Sequence, residues 1–178
     1  TSWEEYQSKL PRKYRKENRR IITRLLEKVG AQYITAEDNL VERWLPVYMD
    51  TENISWKARH GHVTSSDINR RNYLEEAISL GEKTKKIEFQ ALVKGDDVLA
   101  ISFRFKAQNN AYEIKTTYSE KYKSYHPGVV LELLNIKSVL EKGFTLVDSC
   151  AFKNKVVDRL WPDDVVLYRT VVFKKTIA

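Results

Sequence analysis

"YKSYHPGVVLELL", residues 122–134, sets a His-Pro-Gly turn at the mouth of an apolar helix, directly after a tyrosine-rich strand. Proline is favoured in a first helical turn because its missing N–H would have no partner there. Gly128 lets the backbone approach whatever lies in front of it. The first amides of a helix lack internal partners and carry the positive end of its dipole, so they seat an anion well. The stretch therefore reads in two ways: as an ordinary helix start, or as a phosphate seat. Its surroundings decide the fold. "IEFQALVK" (87–94) and "DVLAISFRFK" (97–106) alternate with period two and are joined through "KGDD", a hairpin signal. "NAYEIKTTY" (110–118) follows a polar turn and completes an antiparallel meander. Val130, Leu133, Leu134, Ile136 and Leu140 recur at helical spacing over 129–142 and stop at Gly143, and "FTLVDS" (144–149) reads as a short buried strand. A helix crossing over between two strands makes them parallel. One sheet then holds both kinds of pairing, and where its strands part, helix amides and a free strand edge face the same gap.

The rest of the chain supplies flanking helices. Residues 3–29 read as helix in two pieces, with Trp3, Tyr6, Leu10 and Tyr14, then Ile21, Ile22, Leu25, Leu26 and Val29, at three- and four-residue steps. Pro11 marks the break and Gly30 the stop. "AQYITA" (31–36) is a short strand. Asp38 or Asn39 caps a helix carrying Leu40, Val41, Trp44, Leu45 and Tyr48 on one face, and "ENISWKARHGHVTSS" (52–66) is a loop region. Asp67 caps a further helix whose inward residues are Ile68, Leu74, Ala77 and Ile78. A brief helix over 155–160 and a terminal strand, "DVVLYRTVVFK" (164–174), close the chain. The expected architecture is α/β: a mixed sheet flanked by helices, in one domain over residues 1–178.

Composition narrows the partners. With 178 residues, 42% hydrophobic and 31% charged, the chain can build a core and is not a disordered segment. No apolar run approaches the roughly 18 residues of a membrane span, and the first residues do not form a charged n-region followed by an apolar h-region. Cys150 stands alone, which excludes an internal disulfide and fits a reducing compartment, so a cytoplasmic setting is expected. The net charge of +7 attracts anions such as nucleic acid, anionic lipid or a phosphorylated cofactor. It is concentrated in "PRKYRKENRR" (11–20), where six of ten residues are basic. Such a run is most often a solvated face; its functional readings are a surface for tRNA or another polyanion, or a steering field for phosphates. RNA-binding aromatic motifs and zinc-finger spacings are absent.

The meander followed by strand, turn, helix and strand resembles the GNAT N-acyltransferase superfamily. The resemblance is nearest to its CelD/BioF-like branch, also called acetyltransferase type 6, which is related to the FemAB peptidyltransferases. It is carried by the basic helix "LPRKYRKENRRIITRLLEKVG" (10–30), by "SWKARHG" (55–61), by "YHPGVVLELLNIKSVLEKGFTLVDSC" (125–150) and by "FKNKVVDRLW" (152–161). In that family the third piece has a Ser-Pro-Gly-type helix start, a Gly-ended helix and an Asp-ended strand. The resemblance implies transfer of an acyl group, acetyl or longer, from acyl-CoA to an amine, and a C-terminal half that partners an upstream GNAT-like half. One departure concerns the donor. Acetyl-CoA users commonly carry Gln/Arg-x-x-Gly-x-Gly/Ala at this helix start, whereas "KSYHPGV" has one glycine and so fewer amides to wrap a diphosphate. Acetyl-CoA, a longer acyl-CoA and, as in the FemAB relatives, an aminoacyl-tRNA remain open as donors.

Under the resemblance, His126, Pro127 and Gly128, with the Val129 and Val130 amides, form the donor seat, and Lys121 and Lys123 add charge beside it. Acyl transfer from a thioester needs a base for the amine, donors for the carbonyl oxygen and an acid for the thiolate. Asp148, closing a buried strand, is one candidate base, and the alternative is a strand-end carboxylate holding backbone amides. Glu113 is a second, on the face of its strand opposite Tyr112 and Ile114, with Lys115 sharing its side as an ion-pair partner. Tyr118 and Tyr122 are candidate acids or half-buried packing residues. Trp56 and Lys57 border the acceptor by resemblance, Trp56 as a core or rim anchor, and Lys115 adds to that wall. His60 and His62 suggest a metal, but no third ligand has fitting spacing, so none is expected. Cys150 reads as a small buried apolar residue. The expected mechanism is direct attack by a small-molecule or sugar amine in a ternary complex. A FemAB-like aminoacyl-tRNA transferase and a non-catalytic polyanion-binding module are the alternatives.

Overall fold

Pro11 divides the amino-terminal run. α1 (Trp3–Lys9) begins at Ser2, whose hydroxyl accepts the Glu5 N–H at 3.1 Å. α2 (Arg12–Thr23) restarts after Pro11 and widens into a π turn over Arg24–Lys28, and Gly30 ends it at φ 76°. The computed structural model describes residues 1–61, 63–152, 154–163 and 166. The expected terminal strand (164–174) and His62 lie outside the described residues, Val166 apart. Along the chain follow β1 (Gln32–Ala36), a π turn over Leu40–Trp44 that runs into α3 (Leu45–Asn53), and α4 (Ile68–Lys83). Asp67 caps α4 as its position predicts, its carboxylate accepting the N–H groups of Asn69 and Arg70. β2 (Ile87–Lys94), β3 (Asp97–Ala107) and β4 (Asn110–Tyr118) form the meander. A 3-10 turn over Glu120–Tyr125 leads into α5 (Pro127–Glu141), then β5 (Leu146–Asp148) and α6 (Val157–Leu160).

The sheet order is β1-β2-β3-β4-β5, antiparallel except for the parallel pair β4–β5 that the α5 crossover requires. Helices cover both faces. On one, α5 packs with α1 and α2, and Leu25, Leu92, Leu99, Val130, Leu131 and Leu133 are buried together. On the other, α3 and α4 close over Phe89, Ile101 and Phe103 with Leu40, Tyr48 and Ile78. Each such side chain contributes about 1.5–3 kcal/mol by leaving water, so the two layers hold the sheet while leaving its β4–β5 end lightly built.

Three expectations are corrected. Ile68 is 64% exposed, not inward. Leu74 and Ile78 set the buried face of α4, and Ile68, six residues before Leu74, lies about 120° round the helix from it. β5 is not a buried strand: Leu146 is 45% exposed, because three residues paired to β4 alone leave one side uncovered among the described residues. Cys150 is exposed, in a left-handed turn at φ 48° just past β5, so it has no buried apolar role. No helix among the described residues is long and apolar enough to cross a membrane.

Candidate active site

β4 and β5 share three register positions, Asn110 with Leu146, Ala111 with Val147 and Tyr112 with Asp148, and then part. β4 runs on from Glu113 to Tyr118, roughly 17 Å at the rise of an extended strand. The Ser119 N–H bonds to the Leu99 carbonyl at 2.9 Å, which fixes the alternation along β3–β4. By that alternation Thr116 and Tyr118 turn their backbone N–H and C=O groups away from β3, along the open edge. At the far end of this edge α5 begins. His126 takes a left-handed conformation, φ 55°, and its side chain caps nothing; Pro127 is the first helical residue. The helix ladder starts with the Val130 N–H on the His126 carbonyl at 3.0 Å, leaving the Gly128 and Val129 amides ahead of it. The Tyr118 ring lies against Gly128, where an added Cβ would meet it at 3.1 Å. The open strand edge and the helix mouth are therefore contiguous.

At the fork stand two carboxylates. Phe103 pairs with Lys115 and Arg104 with Glu113, so Ile114 is an extra residue, a β-bulge. Glu113 faces α5, with its carboxylate 3.0 Å from the Arg104 guanidinium and accepting from the Asn135 amide at 3.3 Å. Burial pushes its pKa up to about 8, outweighing the pull of Arg104. Arg104 is fully buried and also lies 3.4 Å from Glu88. Asn135 ties the layer together: its amide donates to Ser102 at 2.9 Å and its carbonyl oxygen accepts from the Tyr33 hydroxyl at 3.2 Å. Glu132, one turn earlier on α5, accepts from the Thr116 hydroxyl at 2.6 Å, and burial raises its pKa as well. Asp148 is half-buried and accepts the Cys150 N–H at 2.7 Å.

The bulge overturns the expected pairing of Lys115 with Glu113. One extra residue moves everything beyond it to the opposite face, and Lys115 faces α3. Its ammonium lies 3.1 Å from the Thr64 hydroxyl and 3.5 Å from Glu52. The Lys57 ammonium donates to the Thr116 carbonyl on the open edge at 2.8 Å and lies 3.7 Å from the same carboxylate. Burial lowers the pKa of Lys57, against the pull of Glu52. Glu52 is fully buried and accepts from the Thr64 N–H at 2.6 Å and the Tyr48 hydroxyl at 3.1 Å. Burial raises its carboxyl, but the Thr64 bonds and the two ammonium groups outweigh that and hold it below the usual range. Trp56 stands edge-on to His60 at 5.9 Å and is 42% exposed, a rim residue and not a core one.

The two tyrosines do not join the carboxylates. Tyr118 lies at the helix mouth, about six residue rises from Tyr112. The Tyr122 hydroxyl donates to Asp97, which also holds Lys121 at 2.8 Å, at the β2–β3 turn. Lys123 is exposed. Among the described residues no group of three His, Cys, Asp or Glu side chains could hold a metal. Sequence reasoning missed Glu52, Arg104, Asn135 and the bulge. Arg104 and Asn135 did leave a signal, a polar residue on the inward positions of an apolar strand and an apolar helix; Glu52 left none.

The model of a family described as the acetyltransferase (GNAT) domain matches residues 12–154. The chain belongs to that family. Among curated proteins none matches it in sequence. An aminoglycoside acetyltransferase from an uncultured soil metagenomic sample, solved with sisomicin, superposes with a TM-score of 0.53 at 13% identity, covering 83% of this chain and 99% of its own. A possible acetyltransferase from Clostridium difficile 630 gives 0.52 at 12% identity, covering 81% and 99%. At such identities the likeness is one of fold, with its five-stranded mixed sheet.

As a GNAT domain the chain is an acyl-CoA-dependent acyltransferase. Its residues fit that donor. Two amides ahead of the α5 ladder suit a diphosphate, and the β4 edge at Thr116 and Tyr118, where the Thr116 carbonyl already accepts from Lys57, suits the amides of a pantetheine arm. The single glycine of the turn sits where the Tyr118 ring would have to shift by a few tenths of an ångström to admit a Cβ.

Proposed function

We propose that this GNAT domain moves an acetyl group from the CoA thioester to an amine by direct attack in a ternary complex, and that it lies in the CelD/BioF-like branch. The observation that carries the reading is the parting of β4 and β5 after Tyr112 and Asp148, with the α5 mouth at the other end of the opened edge. The Gly128 and Val129 amides hold the diphosphate, with His126, Pro127 and Val130 shaping the turn and Lys123 adding charge. The pantetheine arm pairs with β4, which sets the thioester at the fork. There Glu113, reaching the gap from the α5 face, takes the amine's proton across the parted strands, its raised pKa matching a base that works near neutrality, and Asp148, on the Tyr112 face that the acceptor wall shares, orients the amine. Tyr118 packs the seat at the helix mouth and Tyr122 stays with Asp97, so the proton that Glu113 takes from the amine passes to the departing thiolate, which leaves as the CoA thiol. Trp56, Lys57 and Lys115 line the acceptor wall on the α3 side. An amine attacks a thioester without a covalent relay, so no nucleophile of the chain is needed.

The test is CoA thiol release with acetyl-CoA and a panel of small-molecule and sugar amines. Intersecting double-reciprocal lines are expected. Parallel lines would require an acyl-enzyme and overturn the direct route; no turnover with any amine, despite measurable CoA binding, would overturn the acetyl assignment.

A further inference from the structure

Outside the fork, the strongest uncompensated feature is a groove on α2. Arg12, Arg15, Lys16 and Arg19, with Lys137 of α5, rim a cavity of about 690 Å³. Its floor is apolar: Trp3, Ile22, Leu26 and Leu134. Lys16 and Arg19 join it to a second cavity of about 550 Å³ bounded by Arg20, Arg24 and Lys28. Arg20 pairs with Glu17 at 2.7 Å and Lys137 lies 3.6 Å from Glu141; the other cations meet no carboxylate within ion-pair distance among the described residues. Positive side chains recur once per turn along α2, about every 5.4 Å. A merely solvated face mixes both signs and needs no apolar floor.

We propose that this groove binds single-stranded nucleic acid, phosphates on the cation rows and bases on the floor beside Trp3. Guanidinium groups grip phosphate oxygens two at a time, and Trp3, the one aromatic of the floor, is stacked on Tyr6 at 5.3 Å and offers its remaining surface to the flat face of an unpaired base. A duplex hides those faces. A bilayer is disfavoured because Trp3, Ile22, Leu26 and Leu134 are half-buried beneath the charged rim and cannot insert. The assignment stands independently of acyl transfer.

Fluorescence anisotropy with a labelled oligouridylate tests it on the whole chain. Binding is expected to weaken between about 50 and 200 mM salt with a log–log slope near −3, as about four to five phosphate contacts give. The combined R12A, R15A and R19A variant should bind about a hundredfold more weakly with a flatter slope, while K83A binds as the unaltered chain does. An abasic strand of equal charge should bind about tenfold more weakly, and W3A should erase that difference. Acetyl-CoA binding by the triple variant should be unchanged, which also reports its fold. Equal affinity for heparin and for the abasic strand would overturn the proposal in favour of a plain polyanion surface. Binding to phosphatidylserine vesicles without binding to the oligonucleotide, or no binding at all, would overturn it too.

Discussion

Tyr112 faces Asp148 in the last register shared by β4 and β5, and Glu113 is the first β4 residue beyond it. This termination leaves a gap in the sheet beside a carboxylate that burial holds at about 8. A group so raised is protonated in the fold at neutral pH and ionises only as pH rises through 8. Turnover should therefore climb across that window. Glu113→Gln should lose that climb and about a hundredfold in kcat at high pH, a usual cost for removing a general base. Stability carries the opposite sign. The unfolded carboxyl ionises near its ordinary value while the folded one keeps its proton, so this group's contribution falls with pH between about 4.5 and 8. Urea titrations should show Glu113→Gln gaining on the unaltered chain over that window.

Asn135 donates to Glu113 and Ser102 and accepts from Tyr33. Asn135→Leu removes the donor that favours the charged carboxylate, so the climb in kcat should move to higher pH. It also takes the acceptor from the half-buried Tyr33 hydroxyl and one donor from the buried Ser102, which keeps its bond to Gln90, so we expect a loss of about 2 kcal/mol in urea denaturation.

Glu52 anchors Lys57 and Lys115 from a fully buried position. Its carboxyl is held below the usual range, so its stabilisation is present above the unfolded value and is lost as pH falls through the folded one. Glu52→Gln should destabilise by about 3 kcal/mol at pH 7 by leaving two ammonium groups without their counter-charge, and the deficit should shrink once acidification carries the pH below the ordinary carboxylate range.

Gly128 meets the Tyr118 ring at 3.1 Å once a Cβ is added. Gly128→Ala should displace the ring and narrow the helix mouth, weakening acetyl-CoA binding about tenfold by calorimetry, while overpacking costs about 1 kcal/mol of stability.

Elements with an unbroken period were legible in the sequence. The alternation of "IEFQALVK" and "DVLAISFRFK" yields β2 and β3, and the Pro127-to-Gly143 punctuation brackets α5. The parallel β4–β5 pair followed from the crossover alone. Where the pattern is broken by one residue, it misleads. The bulge at Ile114 reverses the face of Lys115, because the alternation is counted from a register that only the β3 partner sets. Ile68 lies within an apolar sequence pattern but out of phase with Leu74. The exposure of β5 depends on what covers it, which no local spacing encodes. Glu52 joins residues 12 to 63 positions away, Thr64 and Lys115 among them, so its role exists only in three dimensions.

The most direct measurement is an assigned amide-proton NMR titration of the chain with CoA. The fork and helix mouth should respond together: Gly128 and Val129 shift most, with Thr116 and Tyr118 along the open edge and Glu113 at its end. Shifts confined to the α2 groove at saturating CoA, with Gly128 and Val129 unmoved, would contradict the assignment of the donor seat and the acyl-transfer geometry built on it.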